Sequence, residues 1–273
     1  LKRISRRAVW ILTEHIQQGD FKPWDYEVAF GRGGMLPAVE IDLENGEKII
    51  LEGRIDRVDL LELEESCYVR ILDYKSGQQD FHLSEVFYGL SLQLMVYLKA
   101  LLTAWEQMGK KPAVPAGVFY FKIDDPMINS EEKIVEVVEK EIAKKLKLKG
   151  LVLADAKIVR QMDREVNGYS TVLPLGLSTK DEFYRFSSVL PLKEFLALLK
   201  HVERLLKRIG QEMVNGQIRI EPVYTRRRLA CTYCSYPSIC QFDRLFSDNN
   251  WRYLKPMSRE EVLNRIMEEN NKG

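Results

Sequence analysis

The chain has 273 residues, with 41 Lys and Arg against 40 Asp and Glu and 45% hydrophobic residues. That is enough apolar content for one large domain or two small ones, and the near-zero net charge excludes a uniformly basic nucleic-acid surface, so any DNA groove must be local. No apolar run approaches the roughly 20 residues of a membrane span, and the basic, amphipathic start LKRISRRAVW has no signal-peptide core behind it. Four cysteines, three of them clustered, suit a cytosolic metal site better than a secreted disulfide framework. The chain opens on Leu1, inside helical periodicity, and reads as a fragment of a larger protein.

Residues 4–18 carry a helical period, with Ile4, Ala8, Ile11, Leu12 and Ile16 near one face; Gly19-Asp20 and Pro23 stop it. Residues 26–31 alternate like a strand, and 31–37 form a glycine-rich turn. Residues 38–43, 48–60 and 66–74 are expected as antiparallel strands, joined by Glu44-Asn45-Gly46 and an acidic turn over 62–65. A long helix is expected over 84–108, with Leu90, Leu94, Tyr97, Leu98 and Leu101 on one face, then a buried strand over 113–123. From 124 to 180 the pattern turns polar and charge-rich, with one helix near 131–148. Residues 190–215 form a strongly periodic helix stopped by Gly216. An irregular, cysteine-bearing segment over 222–246 and a terminal helix over 259–269 complete a mixed α/β (α+β) chain without internal repeats.

Three stretches carry chemistry. GRIDRVDL puts Asp56 in one strand, VRILDYKSG puts Asp73 and Lys75 at the end of the next, and QLMVY puts Gln93 and Tyr97 one turn apart on a helix. Hydrolysis of a phosphodiester needs an activated water and neutralised phosphate charge, and hard divalent cations held by carboxylates supply both. Hairpin pairing brings Asp56 and Asp73 over one metal. Tyr74 points to the opposite face but offers its backbone carbonyl. Lys75 returns to the face of Asp73, where its ammonium holds the attacking water and stabilises a phosphorane-like transition state. Any one aspartate alone, Asp56 or Asp59, reads as a solvated strand residue. Gln93 and Tyr97 alone read as one turn of an amphipathic helix. Two charges closing an apolar strand, however, are unfavourable unless they are used.

Cys231, Cys234 and Cys240 form C-x2-C-x5-C, a spacing at which thiolates wrap one soft metal centre. A tetrahedral centre needs a fourth ligand. Cys67, in the strand leading to Asp73, reads instead as a core or edge residue. Arg226, Arg227 and Arg228 read as DNA-backbone contacts, compensation for thiolate charge, or a solvated surface run. Arg54 and Arg57 flank Asp56, and one of them is a candidate for the DNA path. Phe119-Tyr120-Phe121 and Phe183-Tyr184 read as core.

ID-x-x-D, ILDYKSG and QLMVY resemble the RecB-like branch of the PD-(D/E)XK nuclease superfamily, and the order of helices and strands agrees with that fold. The resemblance implies Asp56 and Asp73 as ligands of Mg²⁺, the Tyr74 carbonyl as a further ligand, Lys75 as the catalytic lysine, and Gln93 and Tyr97 beside the site and the DNA. The branch carries a histidine ligand on a helix before the first strand. His15 lacks its sequence context and is expected as a packing or surface histidine, with the family histidine upstream of Leu1. Glu27 is within reach of the metal or structural. CTYCSYPSICQFD is similar to the end of iron–sulfur nucleases of this branch, which implies a 4Fe-4S cluster on Cys231, Cys234 and Cys240 and a fourth cysteine upstream of Leu1; Zn²⁺ is the chemical alternative.

GLVLADAKIVRQMD, PLGLSTKDEFYRFSSVL and the cysteine loop further resemble the B subunits of bacterial ATP-dependent helicase–nucleases that process double-strand breaks. This implies a cytoplasmic, Mg²⁺-dependent deoxyribonuclease, expected to be an exonuclease, that pairs with a helicase–nuclease A subunit. Its substrate would be a single strand of an unwound duplex, the one whose 5′ end enters the complex. The chain would then divide into a nuclease core (1–123), a family-specific insertion (124–190) and a helical extension (191–273) bearing the cysteine loop (231–240). The rival reading is a non-catalytic DNA-binding or subunit-interaction module with a structural metal cluster, which the intact Asp56, Asp73 and Lys75 oppose.

Overall fold

A computed structural model of the chain describes residues 2–128, 135–225, 229–246 and 249–272. The first part runs α1 (Lys2–Gln17), β1 (Lys22–Phe30), β2 (Val39–Asp42), β3 (Lys48–Leu51), β4 (Gly53–Glu62), β5 (Cys67–Lys75), α2 (Leu83–Tyr88), α3 (Gln93–Gln107) and β6 (Ala113–Lys122). There follow α4 (Val135–Lys145), β7 (Lys149–Leu153), α5 (Ala156–Met162), β8 (Gly168–Tyr169), β9 (Gly176–Leu177), β10 (Val189–Leu190) and α6 (Leu192–Val214). The end comprises β11 (Val223–Tyr224), a 3-10 turn (Ala230–Tyr233), α7 (Pro237–Cys240), β12 (Arg252–Tyr253) and α8 (Arg259–Lys272). None of the described helices is long and apolar enough to cross a membrane.

One six-stranded mixed sheet, in the order β1-β4-β5-β6-β7-β10, organises the chain. β4 pairs antiparallel with β1 and β5, and β5 pairs parallel with β6. Strand alternation sends Val58, Val69 and Ile71 to one face, where Leu94, Leu98 and Leu101 of α3 and Phe195 and Leu198 of α6 cover them. Leu72, Phe119 and Phe121 face the other way, against Ala8 and Ile11 of α1 and Val159 and Met162 of α5. Both faces are thus buried, so the central strands read as nearly continuous apolar runs. Strands β7 and β10, from within 124–190, extend this same sheet, and Val262 and Ile266 of α8 enter the α3-side core.

Two expected elements are divided. The strand over 48–60 breaks at Glu52: β3 pairs with β2 in a separate hairpin, while β4 enters the main sheet. The helix over 84–108 breaks between Tyr88 and Gln93. Gly89 takes a left-handed conformation (φ 85°); its N–H donates to the Val86 carbonyl and the Leu90 N–H to that of Glu85, which closes α2. Only glycine adopts this backbone without penalty. The break tilts a fresh helix start, Gln93, toward the end of β5.

Gly150 marks the tightest approach in the sheet. A Cβ there would lie 1.9 Å from the Val118 carbonyl oxygen, a backbone atom of the neighbouring strand that cannot step aside. Gly150→Ala is expected to destabilise the chain by about 3 kcal/mol, the upper end of overpacking costs. Urea unfolding checks it; an unchanged midpoint would mean that β6 and β7 can separate freely.

Candidate active site

The site grows from strand register. Arg57 pairs with Leu72 and Asp59 with Arg70, so one step further along the same ladder sets Asp56 opposite Asp73. Parity places both carboxylates on the α3 side, with Lys75 two residues on. Asp56 Oδ2 accepts the Tyr74 backbone N–H at 2.7 Å. Lys75 Nζ stands 2.5 Å from Asp73 Oδ2 and donates to Gln93 Oε1 at 2.8 Å. Gln93 Nε2 in turn donates to the Tyr97 hydroxyl at 2.8 Å. The three stretches singled out in the sequence therefore meet in one chain of contacts. The ammonium is aimed from both sides, by a strand carboxylate and by a helix amide.

Asp73 is 2% exposed. Burial lifts its carboxyl above the ordinary range; the hydrogen bond and charge of Lys75 oppose this, and the Asp56 charge adds to it. Beside the Lys75 ammonium, its Oδ2 has no further hydrogen-bond partner among the described residues. A carboxylate oxygen has two lone pairs, and the ammonium leaves one of them open. A divalent cation between Asp56 and Asp73 would use that lone pair and relieve the like-charge repulsion, so the residues fit such an ion. Among the described residues no group of three or more His, Cys, Asp or Glu could hold a metal. Two carboxylates supplemented by a carbonyl, water and substrate phosphate match the way Mg²⁺ is commonly held. Mg²⁺ at 100 times its dissociation constant is then expected to raise the unfolding free energy by about 2.7 kcal/mol. Asp73→Asn should abolish this gain; an equal gain in the variant would place the ion elsewhere.

Other groups surround the site that the motifs did not mark. Tyr120 pairs with Asp73 across the sheet, and Lys75 Nζ lies 5.5 Å from its ring centroid. Burial first, then the charges of Asp73 and Glu85, push its hydroxyl up to about 12. Glu85, on α2, accepts a hydrogen bond from Ser91 at 3.0 Å. Glu27 is bracketed by the pairs Tyr26 with Arg57 and Val28 with Ile55, which sets it across from Asp56. It is a non-glycine residue in the left-handed region (φ 52°), and its exposed carboxylate meets Arg54 at 3.4 Å. Backbone strain of this kind gathers at functional sites.

Behind the sheet the sequence reading needs correction. Asp59 is not solvated and Arg57 does not face a DNA path. Both are buried, with Arg70, in one network. Asp59 takes Arg57 Nε and Nη2 at 2.6 and 2.8 Å and Arg70 Nε at 2.7 Å. Residues 57 and 59 share a parity opposite to that of Asp56, which is why the charges sort to the two faces. The available signal was Arg70, a charge inside the apolar run YVRIL. His15 lies on this rear face too, edge-on to Phe121 with centroids 6.1 Å apart. It is a packing histidine. Burial first, then the charges of Arg70 and Arg57, lower its pKa to about 3. Its neutral form is the one the fold accepts, so it contributes stability that is complete above pH 6.5 and lost as pH falls toward 3. His15→Leu is expected to flatten the acid limb of a stability profile; an unaltered slope would refute this.

Cys231 and Cys234 lie on or beside the 3-10 turn and Cys240 ends α7; all three are free thiols. Partial desolvation, then the neighbouring Cys234 and Cys240, hold the Cys231 thiol above its usual range. The Tyr236 N–H donates to Cys234 Sγ at 3.3 Å. Cys67 is buried in the core beside Val69 and Ile71. Arg226, Arg227 and Arg228 lie outside the described residues.

The chain is 53% identical over 273 residues to the B subunit of the ATP-dependent helicase/deoxyribonuclease of Alkaliphilus metalliredigens, covering 100% of this chain and 24% of the relative. It is 42% identical over 270 residues to the B subunit of the same name from Acetivibrio thermocellus, and 44% identical over 270 residues to that from Clostridium tetani, with 98% of this chain and 24% of the relative covered in each case. The chain thus spans about a quarter of the length of these relatives. A family profile described as the PD-(D/E)XK nuclease superfamily matches residues 1–241. That match spans most of the chain, and the chain belongs to the PD-(D/E)XK nuclease superfamily.

Proposed function

We propose that this chain is the deoxyribonuclease part of a helicase–nuclease that processes double-strand breaks, acting with Mg²⁺ as an exonuclease on the strand whose 5′ end enters the complex. One observation carries the reading: a buried Asp73 carboxylate across from Asp56, with an ammonium against it that is aimed by Gln93 and Tyr97. Asp56, Asp73 and the Tyr74 carbonyl would hold the ion, which when bound supplies charge neutralisation and an acidified water. Lys75 orients the attacking water and offsets charge developing on the phosphate. Gln93 fixes the direction of the ammonium, and Tyr97 fixes Gln93. The names of the relatives support a partner subunit and DNA as substrate; the resemblance implies that the partner is a helicase–nuclease A subunit and the setting cytoplasmic. Cys231, Cys234 and Cys240 would carry a 4Fe-4S cluster, or Zn²⁺, with a further ligand from elsewhere. In this reading 1–123 is the nuclease core, 124–190 an insertion and 191–273 the extension that bears the cluster.

The test uses the full-length subunit with its partner and single-stranded DNA labelled at either end. Short products from the 5′-labelled strand are expected with Mg²⁺ and none with EDTA. Intact substrate under both conditions would sink the proposal.

A further inference from the structure

Two cavities, of about 310 and 510 Å³, share Leu254, Lys255 and Pro256 and so form one groove. Glu85 and Tyr88 of α2 wall one end, and Tyr224 and Tyr253 wall the other. Glu85 also accepts a hydrogen bond from Ser91 at 3.0 Å, two residues before the Gln93 that aims Lys75. That end of the groove therefore lies beside the start of α3. The Tyr88 hydroxyl donates to the Lys255 carbonyl at 3.0 Å and holds residues 254–257, a strap across the groove, beside α2. At the far end the Tyr224 and Tyr253 rings stand 5.2 Å apart and are 43% and 59% exposed. Trp251 lies edge-on to Tyr224 at 5.7 Å. Arg252 and Lys255 are exposed and make no ion pair among the described residues.

Solvent-facing aromatic rings with free cations beside them are what sequence-tolerant binding of single strands requires: every base has a face to stack, and the cations meet the backbone. A core-packing role would bury these rings, and the β11–β12 ladder leaves them outside. We propose that the groove is a subsite for single-stranded DNA, in which bases stack on Tyr253 and Tyr224 and Lys255 and Arg252 meet phosphates on the way to Asp56, Asp73 and Lys75. The proposal rests on the nuclease reading for what happens at the groove's inner end.

The full-length subunit with its helicase partner is mixed, in EDTA and in a Lys75→Ala background, with an oligonucleotide bearing 5-iododeoxyuridine and then irradiated. Crosslinks to Tyr253 or Tyr224 are expected. Cleavage by the Lys75 protein is then measured with Mg²⁺. Tyr253→Leu should raise KM for single strands by about five- to a hundredfold, from the worth of one stacked base, with kcat little changed. Tyr253→Phe should restore KM, which separates stacking from folding. Lys255→Gln, at an exposed position, should raise KM and flatten its salt dependence. Unchanged KM in Tyr253→Leu and Lys255→Gln, with crosslinks elsewhere, would overturn the proposal. Weakened subunit association at unchanged KM would overturn it too and make the groove a protein interface. Crosslinks without any cleavage would leave the subsite standing and remove the nuclease reading instead.

Discussion

Lys75→Ala is expected to slow single-strand cleavage by about two to three orders of magnitude, the usual cost of removing one preorganised charge from a transition state. The ammonium is not a free surface charge. It is held 2.5 Å from Asp73 Oδ2 and 2.8 Å from Gln93 Oε1, so alanine removes both the charge and the group that Gln93 and Tyr97 are arranged to aim. Lys75→Arg is expected to rescue little, because a planar guanidinium cannot present its charge as a compact point in the same slot. The measurement is single-turnover cleavage at saturating DNA and Mg²⁺, with thermal unfolding of the same samples as control. A loss below about threefold in a normally folded variant would put Lys75 outside the chemistry, since even one general acid–base group contributes far more.

Asp59→Asn is expected to have the largest effect on stability, about 3–5 kcal/mol, the range for breaking a buried ion pair from one side. Arg57 and Arg70 are 2% and 1% exposed and share this one carboxylate. An amide would leave two guanidiniums facing one another without a counter-charge. Denaturant unfolding reads the loss. The contrast with Asp56→Asn is informative. That change removes one of two facing carboxylates and should abolish cleavage with little loss of stability. Two aspartates three residues apart in one strand would thus fail in opposite ways, one in chemistry and the other in folding. Comparable destabilisation in both variants would dissolve the distinction between the two faces of β4.

Local pattern decided much of this protein. Period-two alternation in VRILDYKSG is sufficient to place Asp73 and Lys75 on one face, because side-chain parity within a strand needs no tertiary information, whereas Asp56 joins them only through the register of β4 on β5. The i, i+4 spacing of Gln93 and Tyr97 likewise determined that they share a helix face. Cys67 in an apolar strand was legible as core for the same reason. What only the tertiary structure decided concerns partners and boundaries. The pairing of Asp59 with Arg70 depends on strand register, which is a long-range property, so Asp59 read as solvated when it is the most buried charge of the strand. The helix break at Gly89 depends on where α2 must stop for Gln93 to meet Lys75, and a lone glycine in a helical pattern does not announce that. The joining of β7 and β10 to the main sheet, and the groove between α2 and the 254–257 strap, arise from segments far apart in the chain. Local propensity specifies which face a residue turns; only the packed chain specifies what stands opposite.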